Sequence, residues 1–75
     1  MFLISERTPS GFRFYVKNDI KDIGELILNI TGKESESSKA MIAAGEMGFG
    51  GMYESCFYRI ECLREEVLRK MRLIK

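Results

Sequence analysis

The segment Cys56-Phe-Tyr-Arg-Ile-Glu-Cys-Leu63 decides the fold of this chain, because it fits two kinds of secondary structure. Apolar and charged residues alternate in it as in a β-strand, and its aromatic and branched side chains favour a strand. The alternative is one long helix over residues 52–75, with a stripe formed by Tyr53, Cys56, Ile60, Leu63, Val67, Met71 and Ile74. We favour a third antiparallel strand near 56–63, because a β-hairpin without a third strand is only marginally stable.

Directly before this segment, the loop Gly45-Glu-Met-Gly-Phe-Gly-Gly-Met-Tyr53 holds four of the seven glycines. It follows a helical pattern rather than a strand and lacks the Lys-Ser/Thr pair of a P-loop, which argues against phosphate binding. We interpret the loop as a structural turn. Its large apolar side chains are candidates for contact with a partner, since such clusters mark interaction sites. They are Met47, Phe49, Met52 and Tyr53.

Residues 2–17 predict a β-hairpin. Thr8-Pro-Ser-Gly11 is a turn sequence, in which proline presets one position and glycine can take a left-handed conformation. After the turn, apolar and polar side chains alternate with a period of two. We expect the face with Phe12, Phe14 and Val16 to meet the core, and the face with Arg13, Tyr15 and Lys17 to be wet.

Two helices are predicted in the middle of the chain, over residues 19–31 and 36–47. The first has isoleucines at three- and four-residue steps, Asn18 or Asp19 as N-cap and Gly32 at its end. A strand over 25–31 is the competing interpretation. The second helix has an alanine stripe, which indicates close packing, and a C-terminal helix is expected over residues 63–75. The expected core is Ile4, Phe12, Phe14, Val16, Ile23, Ile27, Ile30, Ala40, Ala43, Ala44, Ile60, Leu63 and Val67.

Size and composition predict a single small α+β domain over residues 1–75. A chain of this length buries roughly 60% of the surface exposed by its unfolded form, so a partner subunit is an expected source of stability. With 45% hydrophobic and 31% charged residues, the composition is that of a globular protein. The overall look resembles that of small α+β proteins of phages and mobile elements, although no motif carries the resemblance.

The absence of histidine removes the usual general base and the usual neutral metal ligand. The two cysteines, Cys56 and Cys62, are six residues apart, and we expect them to be reduced and buried rather than bridged. No catalytic constellation, cofactor motif, signal peptide or membrane span is apparent. The prediction is therefore a cytoplasmic protein that is not an enzyme and binds no cofactor.

The leading hypothesis is a protein-interaction module, such as an inhibitor or adaptor, that self-associates as a dimer. Its expected contact residues are the four of the glycine loop together with Arg69, Lys70, Met71 and Arg72. The net charge of +1 gives no overall attraction to nucleic acid. The alternative is a nucleic-acid-binding protein that uses its basic C-terminal helix, with Arg64, Arg69, Lys70, Arg72 and Lys75, helped by Arg13 and Lys17.

Overall fold

Seven elements of secondary structure follow one another in the computed structural model, which describes residues 1–75. They are β1 (Phe2–Thr8), β2 (Gly11–Lys17), α1 (Ile20–Thr31), α2 (Glu34–Glu46), β3 (Met52–Glu54), β4 (Tyr58–Cys62) and α3 (Glu65–Lys70). The four strands form one antiparallel sheet in the order β2-β1-β4-β3. The predicted α+β fold is confirmed, with its N-terminal hairpin, two central helices, strand near 56–63 and C-terminal helix.

The hairpin formed by β1 and β2 turns where its sequence predicts. Thr8 pairs with Gly11, so that Pro9 and Ser10 make a two-residue turn. The φ of Gly11 is 136°, a positive value that glycine adopts without the steric cost met by other residues. The Thr8 hydroxyl donates a hydrogen bond to the Gly11 carbonyl at 3.1 Å, which fixes the turn further.

The two central helices also lie close to their predicted positions. Asp19 is the N-cap of α1, and Gly32 ends that helix in the left-handed conformation with φ 69°. The amide of Gly32 donates to the carbonyl of Leu28 at 2.7 Å, as expected of a glycine C-cap. The competing strand interpretation of residues 25–31 is wrong. The second helix, α2, begins at Glu34, two residues before the predicted start.

Strand register divides the side chains of the sheet between two faces, because successive residues of a strand point to opposite sides. On one face Ile4 pairs with Ile60, and α1 and α2 pack over them. We call this the covered face. On the other face Leu3 pairs with Glu61. We call this the open face, since α1 and α2 pack on the opposite side of the sheet.

The core fills the space between the covered face and the two central helices. Two residues of each helix, Ile23 and Ile27 on α1 and Ala40 and Ala44 on α2, are fully or almost fully buried. Together with Ile4, Tyr58 and Ile60 of the sheet they form one apolar cluster. The predicted alanine stripe therefore packs as expected, whereas Tyr58 was not among the expected core residues.

Three side chains that we expected in the core are exposed instead. Phe12 and Phe14 are 62% and 51% exposed, and Val67 is 39% exposed. The alternation predicts which residues of β2 share a face, but coverage by α1 and α2 decides which face is buried. It is Tyr15, predicted to be wet, that packs against the core, while its hydroxyl donates to the Glu6 carboxylate at 2.9 Å.

The remaining expected core residues are buried to different degrees. Ile30 packs at the margin of the core cluster, whereas Val16, Ala43 and Leu63 are half-buried. Two residues that we did not expect in the core, Leu3 and Leu68, are almost completely buried. Leu3 belongs to the open face, where it lines the same groove as Met71 from the segment after α3.

The predicted strand near 56–63 is β4, and a further short strand that was not predicted, β3, precedes it across a tight turn; the alternative of one helix over residues 52–75 is wrong. The carbonyl of Tyr58 accepts a hydrogen bond from the amide of Ser55 at 2.9 Å, which closes the turn. The turn leaves Cys56 exposed, so the expectation that both cysteines are buried is wrong for Cys56 and right for Cys62. The second of these strands, β4, lies between β1 and β3 and is therefore central in the sheet.

The C-terminal helix α3 is shorter than the predicted helix over residues 63–75. It ends near Arg72, whose φ is 60°, and the amide of Leu73 turns back to the carbonyl of Leu68 at 3.0 Å. Before the helix, the backbone of Leu63 exchanges hydrogen bonds with Met1, at 2.8 and 3.1 Å. These contacts hold the start of α3 at the same end of the sheet as the start of β1.

Candidate docking surface

The open face presents a mixed surface of apolar and charged side chains drawn from all four strands. The register sets Arg7 opposite Phe12, and it sets Ser5 opposite both Phe14 and Arg59. The residues that form this surface are Arg7, Phe12, Phe14, Met52, Glu54, Arg59, Glu61 and, from the segment after α3, Met71. None of them belongs to the main core cluster.

Two phenylalanines form the apolar centre of the open face. The rings of Phe12 and Phe14 are stacked, with centroids 6.3 Å apart and planes inclined by 24°. They border a groove of about 230 Å³, which Met71 lines from the side of α3. The buried residues Leu3 and Ser5 lie at the bottom of this groove. An exposed groove with aromatic walls suits the insertion of an apolar side chain from a partner.

Charges of both signs surround this apolar centre. Glu54 on β3 accepts hydrogen bonds from Arg59 at 2.8 and 3.1 Å and a longer one from Arg7 at 3.4 Å. The hydrogen bond and charge of Arg59 lower the pKa of Glu54, and the same contact raises the pKa of Arg59. With Glu61, the open face has two arginines and two glutamates, so it carries no net charge.

The structure separates the four glycine-loop residues that were predicted to contact a partner. Met47 and Tyr53 pack against the core, and the Tyr53 ring lies 6.2 Å from that of Tyr58. Phe49 is exposed in the loop, with the Arg64 guanidinium 5.3 Å from its ring centroid. Only Met52 lies on the open face, at the register position opposite Glu61.

The basic residues near the C-terminus do not form one continuous patch. Arg69 pairs with Glu65 one helical turn earlier, and Arg64 lies over Phe49. The exposed cations Lys70, Arg72 and Lys75 make no ion pair. Arg13 and Lys17, which we expected to help in binding nucleic acid, point to the covered side of the sheet, away from α3. Of the predicted C-terminal contact residues, Met71 alone lines the groove.

Most of the open face was missed as a site because its members are far apart in the sequence. On β4, Arg59 and Glu61 alternate with buried residues, which is a signal that one side of this strand is wet. The register of β1 with β4 and β2 then places Phe12 and Phe14 on that same side. The alternation on β4 is therefore present in the sequence, but it identifies the residues of the open face only once the order and register of the strands are known.

No helix of the protein is both long enough and apolar enough to cross a membrane. Nowhere do three or more cysteine, aspartate or glutamate side chains come together in a way that could hold a metal ion. Comparisons with protein-family models, curated proteins and solved structures give no match. The function therefore has to be inferred from the surface of the protein itself.

Proposed function

We propose that this protein is a non-enzymatic interaction module that binds a protein partner through the open face. The observation that supports this most directly is the exposure of the stacked Phe12 and Phe14 on a sheet whose other face packs against the two central helices. Contiguous exposed apolar surface on a small domain marks an interaction site. Aromatic residues, methionine and arginine are also the residue types enriched at protein interfaces.

The charge balance of the open face favours a protein over a nucleic acid as its partner. Phosphate recognition needs an excess of cations, because affinity comes largely from the release of counterions. Here the side chain of Arg59 is already engaged by Glu54, and Arg7 lies near the same carboxylate. A partner with an apolar ridge and a few charges of both signs on its flanks would complement this surface.

The non-enzymatic part of the proposal is supported by the ionisable groups of the open face. A general base needs a pKa close to the working pH. The pKa of Glu54 is instead shifted downward by Arg59, which makes this carboxylate a weaker base. No histidine is present in the chain to take that role.

The experiment uses tagged protein to capture partners from its native host, with three lysine substitutions compared side by side. Phe14→Lys changes the centre of the open face, and Met71→Lys changes its other wall. Ile42→Lys is the matched control, because Ile42 is 63% exposed on α2, outside the open face. Circular dichroism first establishes that all three variants are folded.

We expect a protein that is retained by the wild type and by Ile42→Lys, and lost with both open-face variants. With that partner purified, each open-face substitution should weaken the affinity by at least about tenfold, as for a central interface residue. Equal retention by all four proteins would show that the open face is not the docking surface. Loss of binding with Ile42→Lys alone would show that the partner binds the surface of α2 instead of the open face.

A second candidate function, nucleic-acid binding, is favoured by one observation. The cations Lys70, Arg72 and Lys75 lie close together in sequence and have no carboxylate partner. If these three cations bind nucleic acid, the affinity for DNA or RNA should fall steeply as the salt concentration rises, and it should be lost when all three residues are replaced by alanine. Phe14→Lys should leave it unchanged or raise it, which separates the two candidates.

A further inference from the structure

The two edges of the sheet are very different. The edge strand β3 has three residues, which leaves little backbone for another strand to pair with. The edge strand β2 has seven residues and is paired along its whole length with β1, without a bulge. No strand covers its outer side. Proteins usually blunt such an edge by shortening it, by a bulge, by proline or by charged side chains, and of these features β2 has only the charges of Arg13 and Lys17.

We propose that β2 pairs with β2 of a second copy of this chain, in antiparallel orientation about a two-fold axis at Phe14. The eight strands of the two copies would then form one continuous sheet, with the helices of both copies on the same side. This contact is isologous and closes on itself, as most homodimer interfaces do. It uses backbone groups that the single copy leaves to water.

The charges of β2 select this register. With the axis at Phe14, all seven residues of each strand are paired, and Arg13 lies opposite Tyr15 of the other copy. With the axis at Tyr15, Arg13 would instead lie opposite Lys17 on the same face, and like charges directly opposite each other are destabilising. An axis at Arg13 would set the two copies of that arginine against each other. Axes nearer either end would pair fewer residues.

The apolar side chains agree with the same register. On the open side, Phe14 would meet its own counterpart, and Phe12 would lie opposite Val16 of the other copy. Aromatic and branched pairs across strands are among the stabilising ones. Joined in this way, the two open faces would become one surface with four phenylalanines at its centre. The role of this joined surface in binding rests on the proposed function, whereas the pairing of the two β2 strands does not.

Disulfide trapping tests the register directly. Residues opposite each other in an antiparallel pair have Cα atoms about 4.5 to 5.5 Å apart, within reach of a disulfide. We therefore expect Phe14→Cys to form a covalent dimer on mild oxidation. The background is Cys56→Ser, because Cys56 is exposed and could cross-link by itself, whereas Cys62 is buried.

Phe12→Cys in the same background is the matched control. In the proposed register the two copies of residue 12 are four residues apart along the strands, roughly 14 Å, which is beyond disulfide distance. A mixture of Phe12→Cys and Val16→Cys proteins should, however, give a mixed covalent dimer. Equal cross-linking of Phe12→Cys and Phe14→Cys, or none by either, would overturn the proposed pairing.

Sedimentation of the unmodified chain gives an independent measurement. We expect a monomer–dimer equilibrium that Phe14→Lys shifts to the monomer, because two cations would then face each other at the axis. Met71 lines the groove beside Phe14 but is not part of β2, so Met71→Lys should leave the backbone pairing of the two strands intact while it weakens partner binding. A wild type that stays monomeric at every soluble concentration would refute the dimer, and the partner-capture experiment would still decide the proposed function.

Discussion

The same four strands provide both faces of the sheet, and both faces carry large apolar side chains, yet one face packs in the core and the other is exposed. The covered face offers Ile4, Tyr58 and Ile60 to the helices, and all three are fully buried. The open face offers Phe12 and Phe14, more than half of whose surface is in contact with solvent. The difference lies in what is available to cover them: α1 and α2 together have 25 residues, and α3 has six. The fold does not require the exposed apolar residues of the open face, and they are therefore available for binding a partner.

The largest expected effect contrasts one residue from each face. Ile60→Ala should lower the free energy of unfolding by about 2 to 5 kcal/mol, because it leaves a cavity in the core. Phe14→Ala should change it by no more than about 0.5 kcal/mol, as for an exposed position. Urea unfolding at protein concentrations low enough to keep single copies measures both. Similar losses for the two variants would mean that the open face contributes to the fold.

The next effect contrasts two glycines in the helices over the covered face. A Cβ on Gly24 would lie 2.5 Å from the Met41 sulfur, whereas one on Gly45 would make an ordinary contact with Ile20 at 3.6 Å. Gly24→Val should therefore cost about 1 to 3 kcal/mol through overpacking between α1 and α2. Gly45→Ala should stabilise α2 by about 0.4 to 1 kcal/mol. Thermal unfolding of the two variants should shift in opposite directions, and a stabilising Gly24→Val would contradict the close helix contact.

A pH effect is expected from Tyr58 on the covered face. Burial raises the pKa of Tyr58, and neighbouring Tyr53 and Glu36 add to the shift. The unfolded chain therefore releases this proton first, above about pH 10, so stability should fall as the pH rises beyond that value. The fall should be shallower in Tyr58→Phe, because phenylalanine has no hydroxyl proton to release. The variant should still fold, since the hydrogen bond that it loses to Glu36 is long, at 3.5 Å. Unfolding curves of the two proteins between neutral and alkaline pH give the comparison, and parallel curves would argue against a buried phenol.

The smallest effect is expected on the charges of the open face. Glu54→Gln should lower the unfolding temperature slightly at low salt, and the difference from the wild type should vanish at high salt, because the ion pairs are exposed. Since the pKa of Glu54 is lowered in the folded protein, its contribution is present above the usual glutamate pKa and is lost as the pH falls. Glu66→Gln, at an exposed position without an ion pair, is the control. A loss that persists in high salt would point to a structural role for Glu54.

The elements that the sequence predicts well are those specified by local signals. Pro9 and Gly11 mark the turn of the hairpin, and Gly32 marks the end of α1. By contrast, β3 has three residues, too few for an alternating pattern to show, so only the strand near 56–63 was predicted and β3 was missed. The length of α3 was overestimated because its apolar stripe continues past Arg72, where the backbone turns away.

The docking surface was less accessible to prediction than the fold, for a physical reason. Exposure of Phe12 and Phe14 depends on which side α1 and α2 pack against, and residues on the same strand do not contain that information. Met52 and Met71 were expected at an interface, and the structure places both on the open face. Met47 and Tyr53 were expected there on the same grounds, but they contribute to the core instead.

The central position of β4 in the sheet has a consequence for folding during synthesis on the ribosome. The first strand has one neighbour in the adjoining hairpin and another at residues 58–62, close to the opposite end of the chain. Until that late segment has been synthesised, β1 keeps an unpaired inner edge, and Ile4 lacks the isoleucine it will meet. Contacts between residues so distant in sequence form slowly, because a long loop must close first. Folding to the native sheet is therefore expected to wait until residues 58–62 have left the ribosome, and the hairpin is exposed to its surroundings in the meantime.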